Sequence, residues 1–392
     1  MTRMRVAELL APFPRFGSPG HLRDVRALFD RVVGPLPAGV KVVGSNGKGS
    51  TAAMLSAALE ALGYAVGCYT SPHLRAVGER VVIRGVAVPD MALAGAIQAA
   101  ARGADGLQLS AFDVLTAAAG RLFSAAGLDV VVWEAGLGGR LDATRVPPGD
   151  LGVLTSVSLE HTAVLGDTLE AIAVDKAAIV GGRLVHAPVP PGVLAAVRRA
   201  HPRLTLVAAD EPPAPDLHLR GPHQQANAAC ALTAARLFSE RRWRSAKAQR
   251  AVQGCRWPGR FETVRRDPVE LIVDVAHNAA GLAAVAATLP DDKPLVLVFG
   301  ASEGRADAAM VDAIAPKAAH VLYTTPRHKG APAASLVPFH PGEVVDPLPR
   351  ALEVAIRRAE ALGGRVLVTG GLFLVAEALA VLEGRAMPEM LW

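Results

Sequence analysis

The sequence is poor in aromatic residues, only 4% of its 392 residues, and holds only three cysteines. Proteins that bind single-stranded nucleic acid stack bases on aromatic rings, and here no run interleaves aromatic with basic residues, so a nucleic-acid partner is not expected. Cys68, Cys230 and Cys255 form no CxxC pair and no metal-ligand spacing. Such an odd, widely spaced set suits a reducing cytoplasm and excludes a disulfide framework. No charge-free apolar run reaches the roughly 18 residues needed to cross a membrane. The N-terminal stretch lacks the apolar core and cleavage site of a secretory signal, so neither export nor a membrane partner is expected. Repeats of fixed period and low-complexity tracts are also lacking.

What is there is a folded chain with ample material for buried cores. Apolar residues make up 51% and charged residues 20%, spread through the sequence, which argues against disorder. The length predicts two domains. A net charge of +5 and a pI near 9.4 favour an anionic substrate. The densest basic run, Arg241 to Arg250, reads as the solvated face of a helix.

The stretch Val42 to Thr51, VVGSNGKGST, organises the rest. Strand-like residues Val40 to Val43 run into a glycine-rich turn, and a helical pattern follows from Ser50 to Leu62. Gly44, Gly47 and Gly49 let the backbone approach an anion with its N–H groups turned inward. Lys48 adds a mobile positive charge, the helix N-terminus adds its own donors, and Ser50 or Thr51 is suited to a magnesium ion on a nucleotide. The spacing departs from the common P-loop: Val42 stands where that pattern has its first glycine, and Gly49 separates Lys48 from Ser50. A plain glycine-rich turn is the competing reading.

Around this loop the chain alternates apolar runs with helical patterns. Helices are predicted at Met4 to Leu10, Leu22 to Val33, 89–102, 111–126, 167–180 and 223–239. Strands are predicted at 64–69, 129–134 and 151–158. A second alternating set starts near 262, with strands at 270–275, 294–299, 319–324 and 365–369. Alternation of this kind predicts an α/β fold built on mostly parallel sheets. Pro258 and Gly259 mark the join, so the boundary is placed within 256–262, giving residues 1–258 and 259–392.

Ligands of such sheets bind beyond the carboxyl ends of the strands, which singles out polar residues standing where an apolar run stops. Ser71 follows the second strand, Glu134 ends the third, and Glu160-His161 follows the fourth. A hydroxyl, a carboxylate and an imidazole, completed by water and phosphate, suit magnesium or manganese. The competing readings make Glu134 a turn cap and His161 a core or helix-start histidine. Lys176 lies on an otherwise apolar helix face, so if buried it must be neutral, paired or modified. Asp175 beside it points elsewhere on a helix. In the second half, His223 to Asn227 open a helix, Arg260 sits at the join within reach of a phosphate, and Asp274 ends a strand, suited to a ribose hydroxyl.

Together these segments resemble the folylpolyglutamate synthase and dihydrofolate synthase family, within the wider Mur-ligase-like group of ATP-dependent amide ligases. The resemblance runs through GSNGKGST (44–51), YTSPHL (69–74), Phe112-Asp113, EAGLGGRLDAT (134–144), SLEHTAVLG (158–166), DKAAI (175–179), HQQANAACAL (223–232), PGRFE (258–262), DVAHN (274–278) and VLVTGGLFLVAE (366–377). It implies a P-loop-type ATPase domain that also binds folate, followed by a smaller Rossmann-like domain that binds glutamate. Asn46, Gly47, Lys48, Gly49 and Ser50 would hold the ATP triphosphate, with Asn227, Arg260 and Asp274 adding nucleotide contacts. Ser71, Glu134 and His161 match metal ligands. Lys176 matches a lysine carbamoylated in relatives, which would bind a second magnesium ion. Phe112, Asp113, Leu141, Asp142 and Ala143 match pterin-binding loops, and His277 is a candidate for steering the glutamate.

The implied activity is ATP-dependent ligation of L-glutamate to a pterin or folate carboxylate by a cytoplasmic, monomeric enzyme. The sequence departs from the family at Glu160, where aspartate is usual, at Arg145 for asparagine, at the small pair Ser110-Ala111, and at Asp113, where glutamate is frequent. A cell-wall Mur ligase is the nearest alternative. Those enzymes carry an extra N-terminal domain of about a hundred residues, near the size of a small domain, and Lys-Thr-Thr after the loop, whereas 43 residues precede Gly44 here. A nucleotide-binding switch without ligase activity is the other.

Overall fold

The computed structural model describes residues 5–15 and 21–391. Met4, where the first helix was expected to begin, lies outside them, and the helix is described from Val6 to Leu10.

The chain forms two compact units. The first runs from the N-terminal region to His218, resumes at Gln224–Arg256 and takes in the last residues from Glu389; the second comprises Leu219–His223 and Trp257–Pro388. Each is an α/β unit around one sheet.

In the first unit the strands are β1 (Gly39–Val43), β2 (Val66–Tyr69), β3 (Val81–Ile83), β4 (Val86–Ala87), β5 (Val130–Glu134), β6 (Leu151–Leu154), β7 (Arg183–His186) and β8 (Thr205–Ala208). Their order across the sheet is β4-β3-β2-β5-β1-β6-β7-β8. From β2 to β8 every pairing is parallel, and β3 alone is reversed, pairing antiparallel with both β2 and β4. All five residues of β1 are buried, as in a parallel strand covered on both faces, although Lys41 interrupts its apolar run. The chain leaves β1 toward β2 and β5 on one side and later crosses to β6 on the other. The switch in direction thus falls at β1, where a doubly wound sheet opens a crevice. Tyr69, Phe123 and Trp133 pack ring to ring beneath it, with centroids 5.3–5.7 Å apart.

The second unit holds β9 (Glu262–Arg266), β10 (Val269–Val273), β11 (Leu295–Phe299), β12 (His320–Tyr323), β13 (Glu343–Val344) and β14 (Arg365–Thr369), in the order β13-β12-β11-β14-β10-β9. All pairings are parallel except β9 with β10.

The differences from the sequence expectation have local causes. The strand expected over 151–158 stops at Leu154, because Thr155 and Ser156 turn their hydroxyls to the Asn46 carbonyl at 2.6 and 3.0 Å. The helix expected from Ser50 begins at Lys48, since Gly47 at φ 86° forms its N-cap. The basic run 241–250 is not one helix: its first residues form a single 3-10 turn, Glu240–Arg242, and the helix starts at Ser245. Strands β3, β4, β7, β8 and β13 are short, and no long apolar run announces them or β9. Among the described residues, no helix is long and apolar enough to cross a membrane.

Candidate functional site

The carboxyl ends of β2, β5, β1 and β6 lie side by side, and each carries polar residues. Strand register pairs Val42 with Glu134 and Val43 with Leu154, and Tyr69 with Trp133. The loop after β1 therefore sits between the Glu134 end of β5 and the segment after β6.

That loop is tightly built. A Cβ at Gly44 would stand 1.9 Å from the Thr155 hydroxyl. One at Gly47 would stand 2.4 Å from Asn227 Oδ1, and Gly47 also needs its left-handed φ. These two glycines are required by both space and conformation. Ser156 accepts the Asn46 N–H at 2.9 Å, and Ser45 Oγ accepts the Ser158 N–H at 3.0 Å. Asn227 is braced by Gln224, whose amide reaches Ser50 Oγ at 3.3 Å. The loop is thus preformed, and the Thr51 hydroxyl beside it is buried without a hydrogen-bond partner. Thr155, Ser156, Ser158 and Gln224 were given no role from the sequence. The signal was present, because Thr-Ser-Val-Ser closes an apolar strand.

Two ammonium groups converge on the same carbonyl. Lys48 donates to Gly44 O at 2.9 Å and to Ser45 O at 3.3 Å. Lys176 donates to Gly44 O at 3.1 Å and to Glu160 Oε1 at 2.8 Å. Lys176 is only 2% exposed, so its pairing with Glu160 answers the question its position raised. Burial and the Lys48 charge lower the Lys176 pKa against the pull of Glu160. For Glu160, burial works upward, but the Lys176 and Lys48 charges outweigh it and hold the carboxyl below its usual range. Asp175 faces away, accepting N–H bonds from Gly139 and Arg140.

Of the three expected metal ligands, Ser71 and Glu134 meet directly: the Ser71 N–H donates to Glu134 Oε2 at 3.0 Å, and Glu134 is buried. His161, in left-handed conformation at φ 46°, caps the short helix Thr162–Leu165 and is exposed. Among the described residues no cluster of three or more His, Cys, Asp or Glu stands ready to hold a metal. The donors here fit a hard ion such as magnesium or manganese, with phosphate and water supplying the remaining oxygens.

The expected pterin loops divide into two kinds of residue. Phe112 is half-buried with its ring 6.0 Å from that of Tyr69, and Leu141 is exposed. Asp113, Asp142 and Ala143 are buried. Asp113 forms a capping box with Ser110. Asp142 accepts N–H bonds from Gly136, Leu137 and Thr144 and the Thr144 hydroxyl. The same loop is held by Lys41, a fully buried lysine in the middle of β1 that donates to the carbonyls of Thr144 and Pro147 at 2.5 and 2.7 Å. Burial pushes its pKa down to about 7, against the attraction of Asp142.

In the second unit Asp274 accepts the N–H groups of Phe261 and Ala276, both at 2.8 Å. This fixes the turn that carries Arg260. Burial raises the Asp274 pKa and Arg260 opposes the rise. His277 Nδ1 lies 3.1 Å from the Val275 carbonyl. A carbonyl only accepts, so Nδ1 carries the proton and in the neutral ring the lone pair is on Nε2.

Known proteins resemble this chain in sequence and in fold. Residues 259–372 match the family described as Mur ligase, glutamate ligase domain. A probable bifunctional folylpolyglutamate synthase/dihydropteroate synthase of Halobacterium salinarum is 36% identical over 86% of the chain; the chain spans 46% of that relative's length. The dihydrofolate synthase/folylpolyglutamate synthase of Escherichia coli is 33% identical, over 90% of this chain and 89% of that one. A crystal structure of the bifunctional folylpolyglutamate synthase/dihydrofolate synthase of Yersinia pestis, complexed with AMPPNP and Mn ion, superposes with a TM-score of 0.85 at 28% identity, covering 97% of this chain and 98% of that one. The chain belongs to the dihydrofolate synthase/folylpolyglutamate synthase family.

Proposed function

We propose that this chain joins L-glutamate to the carboxylate of a pterin or folate acceptor at the expense of ATP. A carboxylate is a poor electrophile, so amide formation needs activation. An oxygen of the acceptor carboxylate attacks the γ-phosphorus of ATP and ADP leaves. The glutamate amine then attacks the acyl carbon of the resulting acyl phosphate; phosphate departs, the amine loses a proton and an amide remains.

The observation that carries this reading is the convergence of Lys48 and Lys176 on Gly44 O, at the N-terminus of a helix and at the switch point of the sheet. Holding two anions in line requires such a cationic, preorganised end. Asn46, Gly47, Gly49, Ser50 and Asn227 bind the triphosphate with Lys48, and Arg260 and Asp274 make further nucleotide contacts. Ser71, Glu134 and His161 hold a divalent ion, which when bound neutralises charge on the phosphates. Carbamoylation of Lys176 would replace this second cation by an anion able to take a second ion, leaving Lys48 as the cationic group; it needs a neutral amine, and burial with the Lys48 charge lowers the Lys176 pKa in that direction. Phe112 and Leu141 offer apolar surface to the pterin. Asp113, Asp142 and Ala143 shape the loops beneath it, and His277 steers the glutamate through Nε2.

The relatives' names support glutamate as the donor and dihydropteroate or a reduced folate as the acceptor. ADP release measured with glutamate, comparing dihydropteroate with tetrahydrofolate, tests the reading and identifies the acceptor.

A further inference from the structure

After Pro388 the chain returns to the first unit. Leu391 is 4% exposed and belongs to the same apolar cluster as Leu9, Leu10 and Tyr69. The Glu389 carboxylate accepts the N–H groups of Val6 and Ala7 at 3.3 and 2.6 Å. Its main-chain carbonyl lies 2.7 Å from His73 Nε2. The other ring nitrogen, Nδ1, accepts from Arg80 Nε at 2.9 Å. A guanidinium only donates and a carbonyl only accepts, so the imidazole is fixed in the tautomer with its proton on Nε2, relaying one contact to the other. Arg80 is buried, and its own carbonyl accepts the Thr70 N–H at 2.9 Å. Thr70 precedes Ser71, whose N–H binds Glu134.

We infer that His73 and residues 389–391 are positioning residues for the metal-binding end of the first unit, holding Arg80 and through it the Thr70–Ser71 turn against Glu134. This inference rests on the metal role proposed for Ser71 and Glu134. Groups behind first ligands set their orientation, and here the neutral ring passes the position of the segment to the buried Arg80 guanidinium. Every link is a main-chain carbonyl, a neutral ring or an arginine already buried, so the segment acts through position.

Mn2+ binding in the presence of ADP, followed by the electron paramagnetic resonance of unbound Mn2+, tests this alongside thermal melting. The chain ended after Pro388 and His73→Asn are each expected to weaken Mn2+ binding about tenfold, the scale found for groups that orient metal ligands, while ADP affinity changes less than about twofold. Because His73 is the relay, combining the two changes is expected to cost no more than either alone. Unchanged Mn2+ affinity in the folded, shortened chain overturns the inference, as do losses that add. Should the shortened chain fail to fold, Leu391→Ala loosens the segment with every other residue in place, and a smaller loss of the same kind is expected; lowered melting with unmoved Mn2+ binding overturns it there too. A wild-type chain that binds no Mn2+ ends the metal reading itself, whereas normal wild-type binding with unaffected variants ends only this inference.

Discussion

Lys176 and Glu160 form a buried ion pair, 2.8 Å from Nζ to Oε1, beneath the glycine loop. The lysine side chain is 2% exposed and the carboxylate 12%. Removing one member leaves the other buried and uncompensated, which costs about 3–5 kcal/mol for a buried pair. Lys176→Met and Glu160→Gln are therefore each expected to lower stability by several kcal/mol in urea unfolding, and the double variant by less than their sum. Additive losses would show that the two groups do not depend on one another.

Lys48 is half-buried and its ammonium rests on two loop carbonyls. Lys48→Ala is expected to fold normally, as judged by circular dichroism, and to lose turnover. Retention of a tenth of wild-type ADP release would remove Lys48 from the proposed chemistry.

Gly47 combines φ 86° with a side chain, Asn227, where a Cβ would go. Gly47→Ala is expected to lower stability by about 1–3 kcal/mol through backbone strain and to weaken ADP binding together with it. Wild-type ADP affinity in a folded Gly47→Ala variant would contradict the loop's role as the phosphate cradle.

Lys41 gives a pH dependence with a definite sign. Its folded pKa is about 7 against an ordinary 10.5, so between those values the unfolded chain binds more protons than the folded one. Stability then rises with pH across this window and is lost as pH falls toward 7. The rise between pH 7 and 9 is expected to flatten in Lys41→Met, measured by urea unfolding at each pH. Parallel curves for the two proteins would mean that Lys41 is not held as described.

The parts of the fold and site that could be read from the sequence were those with a local signature. The glycine loop after β1, and Ser71 and Glu134 at ends of apolar strands, follow from neighbouring residues and from the rule that parallel sheets bind ligands at their carboxyl ends. Lys41 gave no such sign, because the carbonyls that make its burial tolerable lie more than a hundred positions downstream. Glu160 stood out as a strand-end residue, but its pairing with Lys176, in place of the adjacent Asp175, is a tertiary contact. Its extra methylene, a departure from the family, belongs to the side chain that spans the gap. Ser156 and Thr155 were read as strand because the pull of the Asn46 carbonyl on their hydroxyls is a tertiary effect.

The glycine loop and its two lysines are proposed to activate a carboxylate so that glutamate can be joined to it. The most direct test measures ADP release with ATP, magnesium and either dihydropteroate or tetrahydrofolate, with and without L-glutamate. ADP formation is expected to depend on both glutamate and acceptor, with one amide product per ADP. ADP release indifferent to glutamate, with no amide formed, would contradict it.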